Sequence, residues 1–383
     1  MALPAVTPSP DKLGPLAHGS APQPSRRELL LLVFTAAAVF LAACSYLRGW
    51  HSLLASYGDN DAYLSVADAI SHWDFRHLGV QHFMGYPYFV ALLELLLGIH
   101  SPIALVLVAF PASVLATLLT ARLFGTWVAA YFALTNFAWI QVALLGGSET
   151  LAVALGLAAL CAFRSDSPLL AALLASLAVT VRPLMLALLI GIGLALLFRN
   201  RYRDFLKTFA IGLLIGALYV TPLAIYFGDP LLTVHSYSTR DYGAGGIPGP
   251  HGHLFAWPFQ AIVLGTLAYP APWTNLVLSF SWIFLVLAGV ALMFSPRFRR
   301  YAARHPAEAL FCALYLFAVF SYGYYVWARS AFLRFAIPAL PFVFFALDRY
   351  LPKHRAFLWA LAVVSPLLAA LSAVGIRNVL HIP

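Results

Sequence analysis

The chain has 383 residues, of which 62% are hydrophobic and only 10% charged, with a mean hydropathy of +0.86. A water-soluble domain carries about 25% charged residues, so soluble enzymes and soluble binding modules are excluded. The formal net charge of +9 lies mostly in short Lys/Arg clusters between apolar runs, which fits membrane orientation and not a nucleic-acid partner. Apolar runs of roughly 20 residues recur, and in hydrocarbon each must satisfy its own backbone amides, so they predict helices. The short alternating segments of an outer-membrane barrel are absent. The expected fold class is an all-α polytopic membrane protein with about 11 transmembrane helices.

Residues 1–25, rich in Pro, Ser, Ala and Gly, predict a disordered tail. It is expected to be cytoplasmic, because Arg26 and Arg27 hold the start of the first span, 28–47, inside. Leu41-Ala42-Ala43-Cys44 resembles a bacterial lipoprotein processing site, a match that an Ala/Leu-rich helix produces readily by chance. Cys44, Cys161 and Cys312 follow no metal spacing and no disulfide framework.

The first outer loop, 48–82, carries the main polar stretch. Asp59, Asp61, Asp68 and Asp74 are four of only 14 acidic residues in the chain. Tyr63, Val66, Ala67 and Ile70 fall at i, i+3, i+4, i+7, which predicts a short helix on the bilayer surface. Asp61, Ser65, Asp68 and His72 share its opposite side. Asp-Asn-Asp before such a helix is an N-capping pattern, worth about 1 kcal/mol. One cap takes one residue, so at least one of Asp59 and Asp61 is expected to do chemistry or bind a metal. Asp68 and Asp74 read as a solvated face.

Three apolar segments follow, near 83–98, 101–121 and 126–146, then Gly146-Gly147-Ser148-Glu149 and a run ending at Arg164. A block over 168–198 is interrupted at Thr180-Val181-Arg182-Pro183. It ends in Arg199, Arg201, Arg203 and Lys207, expected to be cytoplasmic. Counting back puts Arg182 and Glu149 outside and Arg164 inside. Only an even number of crossings then fits between Tyr57 and Glu149, so one of the three segments lies along or dips into the membrane.

A span at 208–227 returns to a second outer loop, 228–257, with Asp229, His235, Arg240, Asp241, His251 and His253. His251-Gly252-His253 has no nearby third ligand and reads as a Gly/Pro loop. Residues 258–271 read as interfacial. Spans near 273–294, 307–327, 331–349 and 355–375 close a single transmembrane domain, 26–383. Arg297, Arg299, Arg300, Arg304, Arg349, Lys353 and Arg355 then fall inside. No internal repeat of the transporter kind is visible.

The same bookkeeping gathers Asp59, Asp61, Glu149, Asp229 and Asp241 on the outer side with His82, Arg182, Arg240, Arg329 and Arg334. Glu149 opens a helix, where the dipole favours an acid. Arg182 lies between apolar runs and is costly in lipid unless paired or beside a wet cavity. Arg329 and Arg334 follow Tyr322, Tyr324, Tyr325 and Trp327, a pattern that fits snorkelling at an interfacial belt or a phosphate clamp. Carboxylates beside arginines at a membrane surface suit transfer from a phosphate-linked lipid. The acid deprotonates an acceptor hydroxyl and the arginines stabilise the leaving phosphate.

Taken in order, these elements resemble the GT-C superfamily of membrane glycosyltransferases across residues 58–341. Gly58-Asp59-Asn60-Asp61-Ala62-Tyr63 resembles its first-loop Asp with a Tyr four residues later. His82-Phe83-Met84-Gly85-Tyr86-Pro87 resembles its basic-x-Pro-Gly-Tyr-Pro element. Ser148-Glu149-Thr150-Leu151 resembles its second acidic site, Thr180-Val181-Arg182-Pro183 its Thr-Lys/Arg-x-Pro turn, and Arg334-Phe335 with Pro338 and Pro341 its late Arg-Tyr…Pro…Pro element. His82 stands where Arg or Lys is usual, Met84 for Pro and Phe335 for Tyr.

The resemblance implies a GT-C-like fold with juxtamembrane helices in the first outer loop. It implies a polyprenyl-phosphate sugar donor and a lipid, glycan or protein acceptor, met on the extracytoplasmic face of a bacterial inner membrane. The types nearest in pattern are protein O-mannosyltransferases and the aminoarabinose transferases of lipid A. Asp59 would be the base, with Asp61 second. Asp61 and Glu149 would position the acceptor or an optional divalent metal, Mg or Mn. Arg182 and Arg334, with His82 and Arg329, would hold the donor phosphate. No cofactor is required by the sequence, and transfer is expected to invert the anomeric carbon through an oxocarbenium-like transition state. The competing classes are a lipid-linked-sugar flippase or transporter, for which Glu94 is the clear intramembrane acid, and a non-catalytic membrane scaffold.

Overall fold

A computed structural model describes residues 23–77, 83–239, 255–268 and 273–375. Most of the amino-terminal tail, His82, Arg240, Asp241, His251 and His253 lie outside the described residues. Within them the chain is helical throughout, and the only β pairing is one isolated antiparallel bridge between Phe255 and Tyr322.

Helix α1 spans Arg26–Leu47, α2 Trp50–Ser56 and α3 Asn60–Ser71. Then come α4 Gly85–Leu97, α5 Ser101–Phe124, α6 Thr126–Thr135, α7 Phe137–Leu145, α8 Glu149–Arg164 and α9 Pro168–Val181. Next are α10 Leu186–Phe198, α11 Tyr202–Phe227, α12 Leu232–Thr239, α13 Gln260–Ala268 and α14 Trp273–Met293. The last six are α15 Pro296–Arg304, α16 Pro306–Phe320, α17 Tyr325–Ser330, α18 Phe332–Ala336, α19 Leu340–Leu347 and α20 Arg355–Val374. Starts are chemically marked. Ser25 caps α1 by accepting from the Glu28 amide at 3.1 Å. Pro168, Pro296 and Pro306 open their helices, where a missing N–H costs nothing.

Among the described residues five helices are long and apolar enough to cross a membrane: α1, α5, α11, α14 and α20. A sixth span results if α6 and α7 are taken together, although they bend by 77°. Helix α11 shows what lipid exposure looks like. Only Thr208 and Leu223 of its 26 residues are buried, and at 1.5 Å per residue it runs about 39 Å, past a hydrocarbon core of about 30 Å.

The expected count of about 11 spans is therefore not reproduced, for physical reasons. Helices α4, α9, α10 and α16 are apolar but short. The segment 126–146 breaks at Asn136, whose side chain turns back to accept from the Trp139 amide at 3.1 Å. It is one of the three segments among which a non-crossing element was expected. The segment 331–349 is not one helix either. Pro338 and Pro341 stand where α18 gives way to a 3₁₀ turn and then to α19.

Charged groups collect at the two ends of the bundle. At the end where α8 stops and α16 starts, Arg164 grips Glu308 with Nε to Oε1 at 2.5 Å and Nη2 to Oε2 at 2.8 Å, and Tyr301 donates to the same carboxylate. Nearby, Arg201 pairs with Asp166 and Asp204, and Asp348 with Arg297 and Lys353. The start of α8 and the end of α9 lie at the other end, which carries the candidate site.

Candidate functional site: a carboxylate and arginine cluster

Helix α3 begins at a tight approach to Arg334. Gly58 has φ +57°, and a Cβ there would lie 3.0 Å from the Arg334 guanidinium. Asp59 occupies the N-cap position of α3, but its side chain makes no cap hydrogen bond. Instead its Oδ2 accepts from Arg334 Nη2 at 3.2 Å. The buried Asn60 anchors the turn by donating to the carbonyls of Leu54 at 2.8 Å and Leu145 at 2.5 Å. Asp61 is exposed in the first turn of α3 and makes no hydrogen bond or ion pair with the described residues. So the cap position belongs to Asp59, and its carboxylate is spent elsewhere.

One turn further, the Tyr63 hydroxyl shares a 3.1 Å hydrogen bond with Ser148 Oγ. Its ring meets Tyr86 edge to face at 5.2 Å. Tyr86 is fully buried and donates to the carbonyls of Leu105 at 3.1 Å and Gly146 at 2.8 Å. Beside it, Gly85 allows α4 to touch α9, because a Cβ there would come within 2.3 Å of the Thr180 carbonyl. The Gly-Tyr-Pro and Thr-Val-Arg-Pro elements of the sequence thus meet directly. Their contact fixes the turn that carries Arg182, which is extended at φ −142°, ψ 115° before Pro183.

Glu149, the first residue of α8, is the centre of the cluster and is fully buried. Its Oε1 accepts from Arg182 Nη1 at 2.5 Å and from Arg334 Nε. Arg182 also donates to Ser148 Oγ at 3.3 Å and lies over the Phe335 ring at 6.0 Å. Two acids, Asp59 and Glu149, therefore face two guanidiniums, Arg182 and Arg334. The set is formally neutral, which is the condition for burying it.

Arg334 also lines a cavity of about 220 Å³ together with Tyr57, Gln141, Ser279, Trp282 and Arg329. Here charge is not balanced. Arg329 is only 5% exposed, and its Nη1 has no hydrogen-bond partner among the described residues. Tyr325, one helical turn before Arg329 on α17, lines a larger apolar groove with Phe255, Trp257 and Phe317. Residues at i and i+4 share a helix face, so α17 contributes Arg329 to the cavity and Tyr325 to the groove.

Of the expected site residues, Asp59, Glu149, Arg182 and Arg334 form one connected cluster, and Arg329 lies in the adjoining cavity. Asp61 does not join them, and His82 lies outside the described residues. For a divalent ion the acids offer Glu149 Oε2, which has no hydrogen-bond partner among the described residues, and Asp59 Oδ1, while their other oxygens are engaged. Glu149 Oε1 is shared by two guanidiniums, Asp59 Oδ2 is held by a third contact, and among the described residues no three His, Cys, Asp or Glu side chains are grouped to hold a metal. The sequence reading missed Ser148, Tyr57 and Gln141. Gln141 carried a usable signal, as a carboxamide inside the apolar helix α7.

No protein-family profile matches this chain, and no curated protein sequence does. Among solved structures, ArnT from Cupriavidus metallidurans, crystallised bound to undecaprenyl phosphate, matches with a TM-score of 0.53 at 16% sequence identity. The match covers 86% of this chain and 62% of that one. The chain thus spans about three fifths of the length of that protein, and the likeness is one of fold.

Proposed function

We propose that this chain is a GT-C-type membrane glycosyltransferase. It moves a sugar from a polyprenyl-phosphate donor to a hydroxyl acceptor, a lipid, a glycan or a protein, on the extracytoplasmic face. The observation that carries this reading is the buried Arg329, unpaired among the described residues, in a cavity also lined by Arg334, which holds the Asp59 carboxylate, while α17 gives Tyr325 to an apolar groove. An anionic head on a long apolar tail is the ligand that such a pair of surfaces suits. The ordered sequence motifs and the fold shared with a protein crystallised with undecaprenyl phosphate support the same donor class.

The division of labour follows from which groups line the cavity, which Arg334 and Arg329 do and Arg182 does not. Arg182 is committed to Glu149 and Ser148, so it shapes the site. Arg329 has free donors, and Arg334 reaches the cavity wall; these two take the donor phosphate by guanidinium hydrogen bonds. Asp59 Oδ2 is held by Arg334, and Oδ1 accepts no hydrogen bond from the described residues, so Oδ1 is the base. The acceptor oxygen attacks the anomeric carbon while its proton passes to Asp59. The bond from that carbon to the phosphate oxygen breaks, and the electron pair leaves with polyprenyl phosphate onto the arginines. A single displacement of this kind inverts the anomeric centre. No step is derived through a metal.

The test uses purified protein with labelled polyprenyl-phosphate sugars and a lipid extract, comparing wild type, Asp59→Asn and Asp61→Asn. Wild type should release polyprenyl phosphate and label an acceptor. Asp59→Asn should lose about 10²-fold or more, the usual worth of a general base, and Asp61→Asn should stay within several-fold. The enzyme reading fails if wild type turns over no donor tried. If Asp59→Asn matches wild type, the base is another group.

A further inference from the structure

We infer that Gln141 and Tyr57 form the subsite that recognises the hydroxyls of the donor sugar, and so set which sugar this protein accepts. The inference rests on the donor reading above and extends it to a wall of the cavity that carries no charge. Once phosphate is placed on Arg329 and Arg334, the remaining polar lining is the Gln141 carboxamide with the hydroxyls of Tyr57, Ser279 and Ser372, and Trp282 offers a ring face. Neutral groups that both donate and accept, set beside an aromatic ring, suit a hydroxylated ring rather than a second anion.

Gln141 is built into this wall at some cost. It sits on α7, the second half of the bent pair, among residues that are almost all buried and apolar. A carboxamide in such surroundings is expensive unless it is hydrogen-bonded. One N–H is satisfied, with Nε2 donating to the Ala369 carbonyl at 2.9 Å. Its Oε1 accepts from the Tyr57 hydroxyl at 3.3 Å, longer than the usual range for O–H donors and so a weak bond. That leaves one N–H, one oxygen lone pair and the acceptor capacity of the Tyr57 hydroxyl for a ligand. A carboxamide presenting a donor next to an acceptor matches neighbouring hydroxyls on a sugar ring. At about 220 Å³ the cavity is below the roughly 300–1,000 Å³ of drug-sized sites, which favours a single ring over an oligosaccharide.

The experiment measures binding to protein reconstituted in lipid nanodiscs. The probes are undecaprenyl phosphate and the same lipid carrying a hexose or a 4-aminopentose. Wild type should bind one glycosylated lipid about tenfold tighter than the bare phosphate, the equivalent of one or two good hydrogen bonds. Gln141→Leu and Tyr57→Phe should keep bare-lipid affinity within about twofold and reduce the sugar preference to about twofold or less. Arg329→Gln should weaken all three probes alike. The subsite is overturned if both variants keep the tenfold preference, or if they weaken the bare lipid as much as the glycosylated one. It is also overturned, with the donor reading left standing, if wild type binds the bare lipid but prefers neither sugar. Binding of no probe by wild type removes the donor reading and the subsite together.

Discussion

Replacing Glu149 by Gln changes almost no volume but withdraws the charge that two guanidiniums share. With charge centres about 4 Å apart and an effective dielectric near 20, each Arg–Glu attraction is worth about 4 kcal/mol, so about 8 kcal/mol of gross attraction is lost. Part of that returns as relieved desolvation of the carboxylate, and stripping one partner from a buried pair costs about 3–5 kcal/mol net. Glu149→Gln should therefore lose that much, with Arg182 and Arg334 left facing each other over a neutral amide. Arg182→Gln should cost a similar amount. The double variant should be less destabilised than the sum of the two by about 1.5–3 kcal/mol, because it leaves a balanced Arg334–Asp59 pair. Equilibrium unfolding in mixed detergent micelles, followed by tryptophan fluorescence, measures all four corners of the cycle. Additivity within about 0.5 kcal/mol would refute the shared-carboxylate geometry.

Gly85→Ala pushes a methyl group into the Thr180 backbone, and should cost about 1–3 kcal/mol by overpacking. Because that backbone leads into Arg182, donor turnover should fall further than the lost stability explains; unfolding and turnover measured on one preparation check both. At the end of α3, His72 Nδ1 lies 2.9 Å from the Asp68 carbonyl and 3.4 Å from its carboxylate. The carbonyl first, and the carboxylate second, hold the imidazole above its usual pKa. The protonated form is the one that stabilises this turn, fully below about pH 6.5, and its contribution is lost as pH rises through the folded value. Amide exchange in the last turn of α3, corrected for intrinsic rates, should be faster at pH 8 than at pH 6. His72→Gln should abolish the difference, and persistence of the difference in that variant would contradict the reasoning.

Much of this site was visible in the sequence because charge is so scarce in it. Asp59, Glu149, Arg182 and Arg334 stand out against apolar surroundings, and the alternation of basic clusters placed them at one end of the bundle. The break at Arg182-Pro183 was legible for a local reason, since the residue before proline avoids the helical region. The pairings were not legible. Glu149 read as an acid at a helix N-terminus or a metal ligand, whereas it is the buried counter-ion of two arginines. One of those lies 185 residues away, and a single sequence carries no trace of that proximity. Asp59 read as either cap or base because local rules see only the helix it begins; its carboxylate makes no cap bond and is held by Arg334 from outside that helix. The described helices do not confirm the span count, because hydropathy measures apolar continuity and not helical continuity. Asn136, Pro338 and Pro341 leave the apolar runs intact while ending the helices within them.

The spacing of the cluster along the chain also orders its assembly during synthesis. Glu149 and Arg182 are 33 residues apart, on the hairpin of α8 and α9, so this acid meets its first counter-ion soon after leaving the ribosome. Asp59 and Arg334 are separated by 275 residues, which at about 5–20 residues per second means a delay of about 14–55 s. The α8–α9 hairpin can therefore enter the bilayer as a self-neutralised unit. The first-loop acid, by contrast, waits for its guanidinium until Arg334 is made. Truncation before residue 334 should leave the Glu149–Arg182 pair buried and Asp59 without its guanidinium, so that the site closes only once Arg334 has been made.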